Sequence, residues 1–556
     1  MYLDQPQADF QSAGVFGRDI VVDEWLAALL THGGAGAYRF FQQRDRLNAR
    51  PLPGHPALEA LARSRSDIDM AIDDIAELPR ALGEPGVRLW HDVDGDMHVA
   101  IAARSRFAAR LYPVTATTHV LSYRSLRHGW FLRMMLQDVQ RCDSLICTSW
   151  AARTATERLI ASIAERIARD HGVALAYRGR LDVLPLGVDT ERFSPAPKSE
   201  IRRMVGLPQE AFLIGWIGRL SMADKADLLP LVTVFARLVR ANAGRELGLV
   251  IAGSGERSAS KMIMHHASTL GVAESIHMID PLPPESRHAA YAALDVFVSP
   301  AENIQETFGI TPIEAMASGV PQVVADWDGY RDTVVNGETG FLIPTAWSDD
   351  DGDATAWAAL GDAEDFVDHL LLAQATSVDL GVFEQALQLL LDDDALRARM
   401  SEASRRRALA IYAWPRIIAR YESLWTELVA EAAHTTWSRA RDADYAAPRF
   451  VEAFGHYATR LLTAETVVSL TAAGRTVLEG EEKLPAYLVP TRLWSPATFA
   501  RVLTLIARDG PAVTLGEIDA ACSSADSNGS ARRHAMWLLK YGFITDRDGA
   551  SHRLRP

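Results

Sequence analysis

Short apolar runs of β character alternate with helical stretches along most of this chain, and the alternation stops once and then starts again. VRLWHDV (87–93), YPVTATTH (112–119), DSLICTS (143–149) and LDVLPLGV (181–188) read as strands. Stretches 97–110, 124–141 and 150–170 carry helical periodicity between them. Strands that are apolar along their whole length, rather than at alternate residues, belong to a parallel sheet covered on both faces. DTERFSPAPKSE (189–200) then interrupts the pattern with two prolines and polar residues, as a linker does. After it, FLIGWIG (212–218), LGLVIAGSG (247–255), IHMID (276–280), DVFVSP (295–300) and PQVVAD (321–326) resume the buried-strand pattern. Two α/β halves in tandem predict two doubly wound domains facing a cleft, with ligands at the carboxyl ends of the strands.

Composition narrows the function. With 556 residues, 48% hydrophobic and 23% charged, the chain can fill several cores. The formal charge of −14 argues against a general nucleic-acid or anionic-membrane coat. Cys142, Cys147 and Cys522 are too few for a disulfide framework and lack zinc spacing, which fits a cytoplasmic protein. No secretory signal is visible in MYLDQPQADFQSAG, and no apolar run is long enough to span a bilayer.

The chemistry concentrates in SPAENIQETFGITPIEAMASGVPQVVADWDGYRDTVVNGETGFLIP (299–344). A strand ends at Ser299, a loop carries Glu306, and Phe308-Gly309 opens a helix that contains Glu314 two turns in. Gly309 allows close backbone approach, and free N–H groups at a helix start favour phosphate oxygens. The two carboxylates can reach opposite ends of one elongated ligand. Arg219 follows a buried strand, and with Lys225 it offers a fork and a point charge suited to a pyrophosphate.

Here the chain resembles the retaining, family-4-type glycosyltransferases of the GT-B fold (glycosyl transferases group 1). The matching pieces are the E-x7-E segment with VVADWDGYRDTVVNGETGFLIP after it, IGRLSMADK (217–225), LVIAGSGE (249–256) and LPLGVDTERFSP (184–195), spread over roughly residues 85–430. The resemblance implies a metal-independent hexosyltransferase without a cofactor, taking a nucleotide sugar as co-substrate and a glycan, lipid or small-molecule hydroxyl as acceptor. It implies Arg219 and Lys225 on the donor diphosphate, Glu306 on the transferred sugar, and the backbone of Phe308, Gly309 and Ile310 on sugar and phosphate. Glu314 falls to the ribose, Ile279 to the nucleobase and His119 to the donor sugar across the cleft. Gly17, in SAGVFGR (12–18), matches the glycine loop, although the stretch before it is short and polar here. The alternatives are a GT-B epimerase acting on a nucleotide sugar, and a non-catalytic sugar-nucleotide-binding protein with a partner-binding tail.

The domains expected are 1–195 (Rossmann-like, acceptor), 196–410 (Rossmann-like, donor), a crossover helix 411–434, a helical extension 435–498 and a winged-helix-like module 499–556. Asp92-x-Asp94-x-Asp96 has the look of a metal-using D-x-D, but the donor motifs lie far downstream, so no metal is expected. The acidic loop Ser348–Asp353 reads as a solvated insertion. The basic and aromatic helix 123–142 leaves peripheral membrane contact at the inner face open. In the tail, Arg533, Trp537 and Lys540 share a helical stripe; eight basic against six acidic residues over 499–556 is a weak charge for nucleic acid and favours protein docking or self-association.

Overall fold

The computed structural model describes residues 2–3, 17–42, 67–93, 95–122, 124–255, 257–283, 286–358, 365–438, 450–485, 494–508, 513–522 and 531–546. The chain divides into two compact units, Met1–Gln42 with His55–Tyr445 and Gln43–Gly54 with Ala446–Pro556.

In the first half of the first unit, β4 (Trp90–Asp92), β5 (Val114–Thr117), β6 (Ser144–Cys147) and β7 (Arg180–Val183) follow one another in a parallel sheet, as read from the sequence. A second parallel sheet of β1 (Tyr2–Leu3), β2 (Ala37–Gln42) and β3 (Asp69–Asp74) precedes it and was not expected; the charges in DMAIDD and its half-exposed register hide it. Ser149 caps the long helix Trp150–His171 by accepting the Ala152 N–H, and Gly172 ends that helix in the left-handed region.

After the linker the second half runs β8 (Phe212–Ile217), β9 (Leu247–Ala252), β10 (Ile276–Ile279), β11 (Val296–Ser299), β12 (Gln322–Ala325) and β13 (Gly340–Ile343). Their spatial order is β10-β9-β8-β11-β12-β13, all parallel. Every residue of β9, β11 and β12 is buried, which is why these strands are apolar throughout. The winding reverses between β8 and β11, so the crevice beyond those two strand ends is where a ligand is expected. The helix Trp414–His434 crosses back and packs Tyr421 and Trp425 on Trp25 of the helix Gly17–His32. Residues 345–378, after β13, carry an antiparallel ribbon of β14 (Thr345–Trp347) and β15 (Thr376–Val378), with the acidic residues Asp349, Asp350 and Asp351 exposed.

The second unit corrects two expectations. Residues 435–498 are not a separate helical extension, because β16 (Val467–Leu470) is the middle strand of the tail's sheet, between β17 (Val513–Thr514) and β18 (Ile544–Thr545). Helices Leu515–Cys522 and Ala531–Lys540 form, and Gly542 is left-handed at φ 76°. Trp537 is 5% exposed against Phe499 and Phe543, so it belongs to the core and not to an open stripe with Arg533 and Lys540. The end of the expected winged-helix-like module, past Asp546, lies outside the described residues. Among the described residues no helix is long and apolar enough to cross a membrane.

Candidate functional site

Two loops meet at the crevice. The first leaves β8 and carries Arg219 and Lys225; the second leaves β11 and carries Glu306. Lys225 Nζ donates to Glu306 Oε2 at 3.2 Å, and the Gly309 N–H donates to Glu306 Oε1 at 3.0 Å. Arg219 forms an ion pair with the buried Asp224. Each of the two cations thus faces a carboxylate, Arg219 that of Asp224 and Lys225 that of Glu306.

The helix opened by Gly309 is Ile310–Ala317, with Ile310 as its first residue. Gly309 has φ 85°, and a Cβ there would lie 2.2 Å from Tyr330 Cε1, so glycine is required both by conformation and by space. Tyr330 is held beneath it by a 2.8 Å bond to Ser299 Oγ, and Phe308 is buried against Tyr412. Ile279 ends β10, and its carbonyl accepts the Gly253 N–H at 2.9 Å.

Glu314 differs from its expected setting. It stands at the fifth position of that helix, one turn in rather than two, and is 1% exposed. Its oxygens accept from Arg287 and, at 2.7 Å, from Tyr291 Oη. Burial pushes its pKa up, with Arg287 opposing. In this arrangement Glu314 holds both Arg287 and the Tyr291 hydroxyl. Glu24, from the first half, lies 3.9 Å from Arg192 and 4.0 Å from Arg287. Burial and then the charge of Glu314 raise its pKa to about 7.

The first half reaches the second at the Glu306 loop. Thr307 Oγ1 donates to the His119 carbonyl at 2.9 Å, Ser149 Oγ donates to the Thr307 carbonyl at 2.6 Å, and the Trp150 N–H donates to Asp332 at 2.6 Å. His119 Nε2 itself meets the Val93 carbonyl at 2.8 Å. Gly17 is the first residue of the helix Gly17–His32, while the loop 12–16 before it lies outside the described residues, as does Asp94 of the D-x-D pattern. Among the described residues no cluster of three His, Cys, Asp or Glu could hold a metal ion; Asp96 accepts from its neighbour His98.

With this geometry established, comparison with known proteins is decisive for the second half. Residues 197–358 match the family model of glycosyl transferases group 1. This segment is a group 1 glycosyltransferase domain. The chain is 32% identical over 211 residues to the D-inositol 3-phosphate glycosyltransferase of Nocardia farcinica, covering 37% of this chain and 46% of that protein. It is 30% identical over 260 residues to the enzyme of that name from Corynebacterium glutamicum, covering 45% and 52%. The chain thus spans about half the length of the curated relatives it matches. Among solved structures, Anabaena Alr3699/HepE in complex with UDP covers 75% of this chain and 98% of its own at 15% identity and TM-score 0.50. A glycosyltransferase from Rickettsia africae covers 75% and 96% at 13% identity and the same TM-score. The fold is GT-B.

Within the group 1 domain, several residues that shape the site carry little signal in the sequence. Asp224 is a plain neighbour of Lys225. Asp328 sits at φ 45° before Gly329, and burial, then Glu306, raise its pKa well above the carboxylate range. The Asp-Gly dipeptide is a turn signal that could have flagged it. Glu302 and Asn303 precede Glu306 in a loop and give no sequence hint of burial, yet they are 5% and 1% exposed.

Proposed function

We propose that this protein is a retaining glycosyltransferase that moves a sugar from a nucleotide-sugar donor to a hydroxyl acceptor without a metal ion. The observation that carries the reading is the convergence of Arg219, Lys225 and Glu306 beyond β8 and β11, at the point where the sheet reverses its winding. A glycosyl transfer of this kind sheds a nucleoside diphosphate, on which negative charge grows as the glycosidic bond breaks. A guanidinium and an ammonium fixed at strand ends stabilise that charge in the transition state. The leaving diphosphate then takes the acceptor's proton while the acceptor hydroxyl attacks the same face. Glu306, held on the Gly309 N–H beside Lys225, is placed to accept from hydroxyls of the transferred sugar. The bonds from Ser149 and to His119 tie the first half to this loop and help exclude water. Complexes of HepE with UDP support a nucleoside diphosphate as leaving group; the relatives' names support a sugar transfer.

A thermal-shift panel of UDP-, GDP- and ADP-sugars tests the donor class. A true donor at 100 times its dissociation constant stabilises the chain by about 2.7 kcal/mol. A panel in which every sugar nucleotide leaves the melting temperature unchanged removes the reading. The metal-free part has its own check: turnover should persist in excess chelator, and loss of activity restored by manganese would contradict it.

A further inference from the structure

We propose that Asn303 is a positioning residue that sets the Lys225–Glu306 pair by tying the loop after β8 to the loop after β11. The need for such a tie follows from the sheet. Backbone pairing between these two strands covers only Val296↔Ile214 and Phe297↔Gly215, well short of Lys225 and Glu306. On its other flank the β8 loop is held by backbone, since the Leu220 N–H donates to the Ser254 carbonyl at 3.1 Å. Toward Glu306, side chains make the connection. Asn303 Oδ1 accepts the N–H groups of Gln305 at 2.9 Å and Glu306 at 3.1 Å, which shapes the turn that presents Glu306. Its Nδ2 donates to the Lys225 carbonyl at 2.5 Å. Its own carbonyl accepts Trp327 Nε1–H at 2.7 Å, which fixes the backbone it hangs from. Glu302 adds a parallel bond, accepting the Asp227 N–H at 2.6 Å.

The carboxamide is thus used at both ends, one on each loop. Only a group with an acceptor and a donor on one planar head makes both connections. Because a buried bond of this kind holds a lysine whose contact matters most as charge develops, its loss should fall on turnover rather than on ground-state affinity.

The inference rests on the proposed sugar transfer, and the test separates the two. Asn303→Asp keeps Oδ1 for the turn but replaces the donor to Lys225 with an acceptor. Asn303→Ser keeps a turn acceptor too short to reach Lys225. With the nucleotide sugar that the panel shows to turn over fastest, both variants should lower kcat for nucleoside diphosphate release by about 10-fold or more, with KM within about threefold. In a Lys225→Ala background the same change at Asn303 should cost less than about threefold, because the tie then has no ammonium to place. Full additivity in that cycle overturns the proposal. Hydrogen exchange on the intact protein, with no nucleotide present, reads the tie independently. Amides of 219–228 should exchange about 10-fold faster in Asn303→Asp while those of 305–309 hold, and unchanged exchange in 219–228 overturns it as well. A wild-type protein inactive on every nucleotide sugar refutes the transfer reading alone, and the exchange result still decides the role of Asn303.

Discussion

At the scale of single residues, the site is a set of charges whose burial differs sharply. Glu306 keeps access to the crevice, whereas Glu302, four residues earlier, has one oxygen on the Asp227 N–H and the other buried with no partner. Burial therefore raises the Glu302 pKa to about 8 from the ordinary 4.5 of a glutamate. A raised carboxyl pKa means that the folded state holds a proton the unfolded chain releases, so the contribution to stability is full below pH 4.5 and is lost as pH climbs toward 8. Each pH unit inside that window should remove about 1.4 kcal/mol. Glu302→Gln, which mimics the neutral acid, should flatten the slope; equal slopes in denaturant titrations of both proteins at several pH values would show that Glu302 is ionised in the fold. Residue type and spacing single out Arg219, Lys225 and Glu306 in the sequence, and the fold puts them on the loops after β8 and β11. Glu314 was legible as a residue but not as a setting, since the Arg287 and Tyr291 that engage it come from a helix over twenty residues upstream.

At the scale of elements, strands buried on both faces announced themselves: all six residues of LGLVIA are buried in β9. Strands that read poorly have mixed surroundings. β16, VVSL, is short, and its partners lie more than forty residues later, so local pattern cannot assign it. Side chains that lock elements together were equally hidden. Arg104 and Asp143 are both fully buried; Arg104 binds both Asp143 oxygens and the carbonyls of Tyr112 and Asp138. Asp143 also accepts the Val114 N–H at the start of β5 and the Gln140 N–H. Arginine and aspartate are ordinarily surface residues, so nothing in the sequence marks this pair. Asp143→Ala leaves a guanidinium unpaired in the core and should cost about 3–5 kcal/mol in chemical denaturation. A loss under 1 kcal/mol would mean that water reaches Arg104.

At the scale of the molecule, the two halves of the first unit were evident from the restart of the strand–helix alternation. The split of the second unit was misjudged because a strand from 467–470 completes a sheet begun after residue 513. The central claim is that the reversal of winding between β8 and β11 builds a clamp for a diphosphate leaving group. Release of nucleoside diphosphate by Arg219→Ala and Lys225→Ala, measured against wild type with the donor the panel identifies, tests it most directly. Each variant should turn over about 100-fold more slowly or worse with its melting temperature preserved. Turnover within a few-fold of wild type in either folded variant would contradict the account.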